Sequence, residues 1–153
     1  MTKRLIIALA AVMASVAATA YASVDQYSGR GVVTQEGKFG FQAVVHRGVP
    51  VKVRRFKWRT PVLCGKGTHQ SIHRVHGRFR FGLEVRNREG VRRFWGRAAN
   101  GKGMHTHVRG YFIPGDPSEH RYDARGLFEL RGNLKPRLKH CRTAVHWRAS
   151  LRE

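Results

Sequence analysis

Acidic residues are scarce in this chain of 153 residues: nine Asp and Glu stand against 30 Lys and Arg, and the formal net charge is +21. A glycosidase needs two facing carboxylates, but most of the acids here lie in predicted turns or beside arginine. No serine has the Gly-x-Ser-x-Gly setting of a hydrolase nucleophile. We therefore expect a non-enzymatic protein without a cofactor; a ribonuclease-like site using His105 or His107 is the enzymatic alternative.

Cysteine is also scarce, since Cys64 and Cys141 are the only two in the chain. No Cys-x-x-Cys is present, which excludes a zinc ribbon and a thioredoxin-type redox site. An even pair in an exported protein predicts a disulfide, and two free buried thiols are the alternative. Across a sequence separation of 77 residues, such a bond is worth about 4 kcal/mol in the chain-entropy model.

Only one long apolar run is present, from Leu5 to Val16, and it follows the basic residues Lys3 and Arg4. The run leads to Ala20-Tyr21-Ala22, an Ala-x-Ala cleavage pattern. We therefore predict that residues 1–22 are a secretory signal peptide, cut after Ala22 or, as the rival site, two residues earlier. The run is shorter than the about 20 apolar residues that a membrane span needs, so we expect no stable membrane anchor.

The rest of the chain, residues 23–153, lacks a convincing helical period, and only a short helical turn at 116–120 is expected. Short runs of alternating apolar and polar residues recur instead, separated by glycine-rich turns. The clearest run is Gly77 to Val85, in which Phe79, Phe81, Leu83 and Val85 would share one face. About eight or nine such strands predict one all-β domain, secreted or at the cell surface and monomeric, built as an antiparallel sandwich or a small β-barrel.

One predicted strand departs from the alternation. Val53 and Phe56 fall on opposite parities, and a β-bulge near Arg54 and Arg55 would bring both side chains to the same face. Pro61 predicts that this strand ends there or continues along an edge of the sheet, because proline cannot donate a ladder hydrogen bond.

Several short motifs recur in a fixed order along the predicted domain. It opens with Tyr27-Ser28-Gly29, and a cysteine follows the Phe-rich stretch from Phe56 to Cys64. Gly77-Arg78-Phe79 begins a Gly-x-Phe strand, and Cys141 to Trp147 combines a cysteine, a small residue and a tryptophan. This layout resembles a group of uncharacterised secreted β proteins of GC-rich Gram-positive bacteria. The resemblance implies an exported β domain with a Cys pair, no known activity and no catalytic residues to transfer.

Positive charge is spread along the chain, which predicts a basic surface rather than a basic tail. Such a surface attracts anionic polymers, for example nucleic acid, teichoic acid or lipopolysaccharide, or the cell envelope; an arginine excess from a GC-rich genome is the alternative. Basic and aromatic residues also adjoin one another, as in proteins that hold single strands by stacking, although core aromatics between outward basic residues would give the same pattern. The candidate polyanion-binding residues are Arg55, Lys57, Arg59, Arg92, Arg93 and Arg148.

The adjacent rings Phe94 and Trp95 must face opposite sides of a strand. One of them is therefore expected on the outside or against a second layer. If the inward aromatics instead line an open interior, the protein would be a β-barrel binder of a small ligand, which is an alternative function.

A second alternative is a metal-binding module built on His105 and His107. Their i, i+2 spacing places both imidazoles on one strand face, outward by our parity. A zinc or copper site needs three or four converging ligands, and the third would come from His69, His73 or His76, which we expect on a neighbouring segment. Surface imidazoles on a basic protein are the simpler interpretation.

Overall fold

The computed structural model describes residues 22–31, 37–99, 103–114 and 122–151, and every regular element in these ranges is a β-strand. In chain order the strands are β1 Ser23–Gly31, β2 Lys38–His46, β3 Val49–Lys66, β4 His69–Arg78, β5 Leu83–Arg88, β6 Val91–Ala99, β7 His105–Pro114, β8 Tyr122–Gly132 and β9 Cys141–Leu151. The predicted all-β class is confirmed. Within these ranges no helix is long and apolar enough to span a membrane. The predicted signal peptide, except Ala22, and the helical turn predicted at 116–120 lie outside the described residues.

The nine strands form one antiparallel sheet in the order β2-β1-β9-β8-β7-β6-β5-β3-β4. An additional β2–β3 pairing, from Lys38–Arg59 to His46–Val49, joins the first strand of this order to the next-to-last. Eight strands therefore form a closed, barrel-like ring, which removes most unpaired edges. β4 stands outside the ring and extends it as a hairpin arm with the second half of β3.

Pro61 lies inside the long strand β3, which continues to Lys66. The last β2 partner on this strand is Arg59, and β4 pairs with the other side from Lys57 to Lys66. Pro61 therefore occupies an edge position of β3, the second of the two places that proline permits.

A disulfide joins Cys64, in the arm, to Cys141, the first residue of β9. Next to it, Leu63 of β3 pairs with Arg142 of β9. The predicted disulfide is thus confirmed. It joins the hairpin arm to the ring beside the single residue pair between β3 and β9.

Aromatic side chains fill the interior of the ring. Trp147, Phe56, Phe94, Phe112 and Phe128 are almost fully buried, and Trp147 packs against the Phe56 ring at a centroid separation of 5.6 Å. An eight-stranded ring leaves an interior just wide enough to be filled by side chains. The rings that the small-ligand alternative would place around a cavity instead contact one another.

Glycines on neighbouring strands make room for these rings. Gly126 lies directly opposite Trp147, and a Cβ atom added to this glycine would overlap the indole. Gly110 has the same relation to Phe94 on the paired strand. Gly126 and Gly110 therefore serve packing, since each leaves space for a large ring of the paired strand.

The predicted continuous strand from Gly77 to Val85 is wrong. The chain leaves regular pairing between Arg78 and Leu83, and Phe81 is 48% exposed although Phe79 and Leu83 are 3% exposed. The cause lies on β3, where the bulge predicted near Arg54 and Arg55 is present as a register shift against β2. The interruption faces this bulge, and Phe81 turns outward there.

Candidate functional site

The outer face of β6 to β9 carries aromatic and apolar side chains surrounded by arginines. Together they line a shallow groove of about 1140 Å³. We call this surface the arginine–aromatic groove and define it by Arg93, Trp95, Arg97, Arg109, Tyr111, Arg125, Leu127 and Arg148.

Strand register assembles the groove from residues that are far apart in sequence. One row of directly opposed residues runs across the four strands as Arg93, Tyr111, Arg125 and Arg148. The next row is Trp95, Arg109, Leu127 and His146. Directly opposed side chains have Cβ atoms about 4.5–5.5 Å apart, so each aromatic residue has guanidinium groups as its immediate neighbours.

The cationic row continues around the ring beyond the groove. Arg125 opposes Arg148, which opposes Arg30 of β1; Lys38 and Arg59 follow on β2 and β3. All five side chains are exposed. Like charges directly opposite one another destabilise a sheet, so this arrangement lowers the stability of the free protein.

Few carboxylates compensate this charge. Asp123 accepts a hydrogen bond from Arg148 Nη2 at 2.6 Å, and that bond is the main cause of the lowered pKa of Asp123. Glu129 lies 3.6 Å from Arg109 Nη2. In the described parts of the chain, Arg93 and Arg125 form no ion pair, so the groove keeps a large excess of positive charge.

Trp95 and Tyr111 are the exposed rings of the groove, each 40% accessible, whereas Phe94 is 1% accessible. The prediction that one of the adjacent rings Phe94 and Trp95 lies outside is thus confirmed. The guanidinium carbons of Arg86 and Arg88 lie 5.3 and 5.6 Å from the centroid of the Trp95 ring. These cation–π contacts place Arg86 of β5 beside the groove and connect Trp95 to Arg88, which also lines the groove.

The six candidate polyanion-binding residues do not form one site. Arg93 and Arg148 lie in the groove. Arg92 is half-buried and lies on the other face of β6, the face that carries Phe94. The other three lie elsewhere: Arg55 and Lys57 beside the β3 bulge, and Arg59 next to Arg30, Lys38 and Arg74.

Sequence reasoning missed the middle of the groove, namely Arg97, Arg109, Tyr111, Arg125 and Leu127. Their outward parity was readable from the alternation in their strands. Their mutual proximity was not readable, because it depends on the register of β6, β7 and β8.

His105 and His107 lie on the outer side of β7, as their parity predicted. His107 Nδ1 is 3.5 Å from Glu129 Oε2. Burial, followed by the charges of Arg97 and Arg109, lowers the pKa of His107 against the opposing effect of Glu129. This imidazole is therefore held towards its neutral form.

The structure does not bring a third histidine to this pair. His69, His73 and His76 lie on β4, and three strands separate β4 from β7 along the sheet. The segment that we expected to be a neighbour is thus distant. Over the ranges that the structure describes, no group of three or more His, Cys, Asp or Glu side chains is placed to hold a metal ion.

These features define a class: a disulfide-linked all-β protein with an aromatic interior and a basic, aromatic-bearing outer face. Comparisons of the chain with protein-family models, with curated proteins and with solved structures found no match.

Proposed function

We propose that this protein acts outside the cytoplasm as a non-enzymatic module that binds anionic polymers in the arginine–aromatic groove. The observation that carries the proposal is the row of directly opposed cations from Arg125 to Arg59, which continues from the groove. A sheet that places like charges side by side loses stability, and a bound polyanion would offset that loss.

The chemistry of the groove suits a polymer with closely spaced acidic groups. Guanidinium groups donate two parallel hydrogen bonds to phosphate, sulfate or carboxylate. Trp95 and Tyr111 provide flat apolar surfaces among these donors, on which sugar rings or bases can stack. Binding should release counterions and weaken steeply with salt.

The disulfide supports a location outside the cytoplasm, since such bonds persist in oxidising compartments. The predicted signal peptide at residues 1–22 supports export by the secretory route. An exported protein of this charge would meet envelope or environmental polyanions.

A charge-matched pair of double variants tests the proposal. Arg93→Gln with Arg125→Gln removes two cations from the groove, and Arg47→Gln with Arg137→Gln removes two exposed turn cations elsewhere. Binding to heparin and to a short oligothymidylate is measured over a range of NaCl concentrations. We expect the groove variant to lower the magnitude of the salt slope for the single-stranded oligonucleotide by about 1.4, or about 0.7 for each lost contact, and to elute from heparin at lower salt.

The control variant should elute close to the wild-type position. Equal losses in both variants would mean that net charge, not the groove, holds the polymer, and would contradict the proposal. Unchanged binding in the groove variant would also contradict it.

A further inference from the structure

A second basic surface lies on β3, separate from the groove residues on β6 to β9. Four cations of β3 and two from residues 78–80 line a cleft of about 760 Å³. We call it the bulge cleft and define it by Lys52, Arg54, Arg55, Lys57, Arg78, Arg80 and Phe81.

Two matched irregularities create this cleft. The β3 bulge leaves Arg54 and Arg55 both exposed, although consecutive strand residues ordinarily face opposite sides. Opposite the bulge, regular pairing with β3 stops after Lys57–Arg78 and resumes at Val53–Leu83. Bulges occur often beside functional sites, where they redirect side chains.

Arg55 has a backbone φ of 51°, in the left-handed region that favours glycine. Arg47 has nearly the same φ, 52°, but it lies in the turn before β3. A non-glycine residue in this region is strained, and such strain is concentrated at binding sites. Arg55 thus adds a guanidinium to the cleft at a position where glycine would be the unstrained choice.

The charge of the cleft is almost uncompensated. Lys52 Nζ contacts Glu84 Oε1 at 2.9 Å, and the hydrogen bond from Lys52 is the main cause of the lowered pKa of Glu84. Lys57 lies directly opposite Arg78. In the part of the chain that is described, the five cations other than Lys52 form no ion pair.

We propose that the bulge cleft is a separate binding site for a compact ligand that carries clustered phosphate groups. Six cations around one cleft suit several negative charges held close together. The forked donors of its arginines match phosphate oxygens. Phe81, half-exposed at the rim, adds an apolar contact that would suit a phosphorylated lipid headgroup better than a free polyphosphate.

Titration calorimetry with inorganic tripolyphosphate on the disulfide-linked protein tests this site. Arg55→Gly removes one cleft charge and relieves the strained φ, and Arg47→Gly does the same outside the cleft. We expect Arg55→Gly to weaken tripolyphosphate binding at least about fivefold, with an unchanged or raised melting temperature. We expect Arg47→Gly to keep the wild-type affinity.

Equal tripolyphosphate affinities in these two variants would overturn the proposal. A wild-type protein that shows no saturable binding of tripolyphosphate would also overturn it. The groove variant Arg93→Gln with Arg125→Gln should retain tripolyphosphate binding. The proposal for the groove and the proposal for the bulge cleft can therefore be contradicted independently. Loss of binding in that variant alone would place the ligand in the groove and also overturn the bulge cleft.

The variant Phe81→Ser distinguishes a phosphorylated lipid headgroup from a free polyphosphate as the ligand. Vesicles of phosphatidylcholine with phosphatidic acid are compared with tripolyphosphate. A lipid headgroup predicts that Phe81→Ser weakens vesicle binding and leaves tripolyphosphate binding unchanged. If the ligand is instead a free polyphosphate, we expect Arg55→Gly to leave any vesicle binding unchanged. Either pattern supports the site if Arg55→Gly weakens tripolyphosphate binding.

Discussion

The two faces of β6 to β9 are made from alternate residues of the same strands, yet they differ in burial and in charge. Inside, Phe94, Phe112 and Trp147 are at most 2% exposed, and the Phe94 ring contacts both of the other rings. Outside, Trp95 and Tyr111 are 40% exposed and lie among arginines. The inner face stabilises the fold by burial, whereas the outer face places like charges together at a cost in stability. The charge on the outer face therefore does not account for the stability of the fold, and we propose a binding role for it.

The largest expected difference in the free energy of unfolding is between variants of two tryptophans on opposite faces of the sheet. Trp147→Ala should lower the free energy of unfolding by about 3–5 kcal/mol, because it removes a buried ring and leaves a cavity. Trp95→Ala should lower it by less than about 1 kcal/mol, because an exposed ring loses little beyond its cation–π contacts. Urea unfolding of both variants with the disulfide intact measures the difference. Similar losses would mean that the outer ring also belongs to the core.

The disulfide should give the next largest effect. Cys64→Ser with Cys141→Ser should lower the free energy of unfolding by about 2–4 kcal/mol, since the denatured chain gains freedom when the cross-link is removed. Denaturant unfolding of the variant, with reduced wild-type protein as the control, measures this loss. A loss confined to the hairpin arm, seen as faster amide exchange in β4 alone, would show that the bond stabilises the arm and not the ring.

A smaller effect of opposite sign is expected on the outer face. Arg125→Gln removes the charge directly opposite Arg148 and should raise the free energy of unfolding by about 0.2–1 kcal/mol. The same variant should elute from heparin at lower salt, because the groove loses a cation. Arg47→Gln, in a turn outside the ladder, is the control and should change neither quantity appreciably. A destabilised Arg125→Gln protein would show that this side chain contributes to packing.

The smallest effect concerns pH. The pKa of His107 is lowered from 6.5 in the folded protein, so the unfolded chain binds this proton more strongly. Stability should therefore fall as the pH drops from about 7 towards 5. His107→Gln should reduce this slope in unfolding measurements, and His105→Gln serves as the control because that imidazole is exposed. Identical slopes in wild type and His107→Gln would contradict the assignment.

Much of the fold was predictable from local pattern. The all-β class, the disulfide, the bulge at Arg54 and Arg55 and the outward position of one ring of the Phe94–Trp95 pair all follow from alternation and cysteine count. The break between Arg78 and Leu83 was not predictable, because Phe79, Phe81 and Leu83 alternate without fault. Only the bulge on the facing strand turns Phe81 outward.

The candidate sites were predictable only in part. Arg93 and Arg148 were recognised as basic residues beside aromatic ones, but the structure separates them from Arg55 and Lys57. Three strands separate β7 from β4, the strand that carries the histidines expected near His105 and His107. A local pattern does not tell which strands become neighbours.

Except at Phe81, the sequence by itself determined which of the side chains discussed above face inward and which face outward, because a strand has a period of two and glycine, proline and charge mark where it is interrupted. The tertiary structure decided which outward residues meet. Closure of the ring through β2 and β3, and the register of each ladder, placed Trp95 beside Arg109 and aligned Arg125 with Arg148. These contacts join residues distant in sequence, and their geometry is set by the packing of the whole aromatic interior.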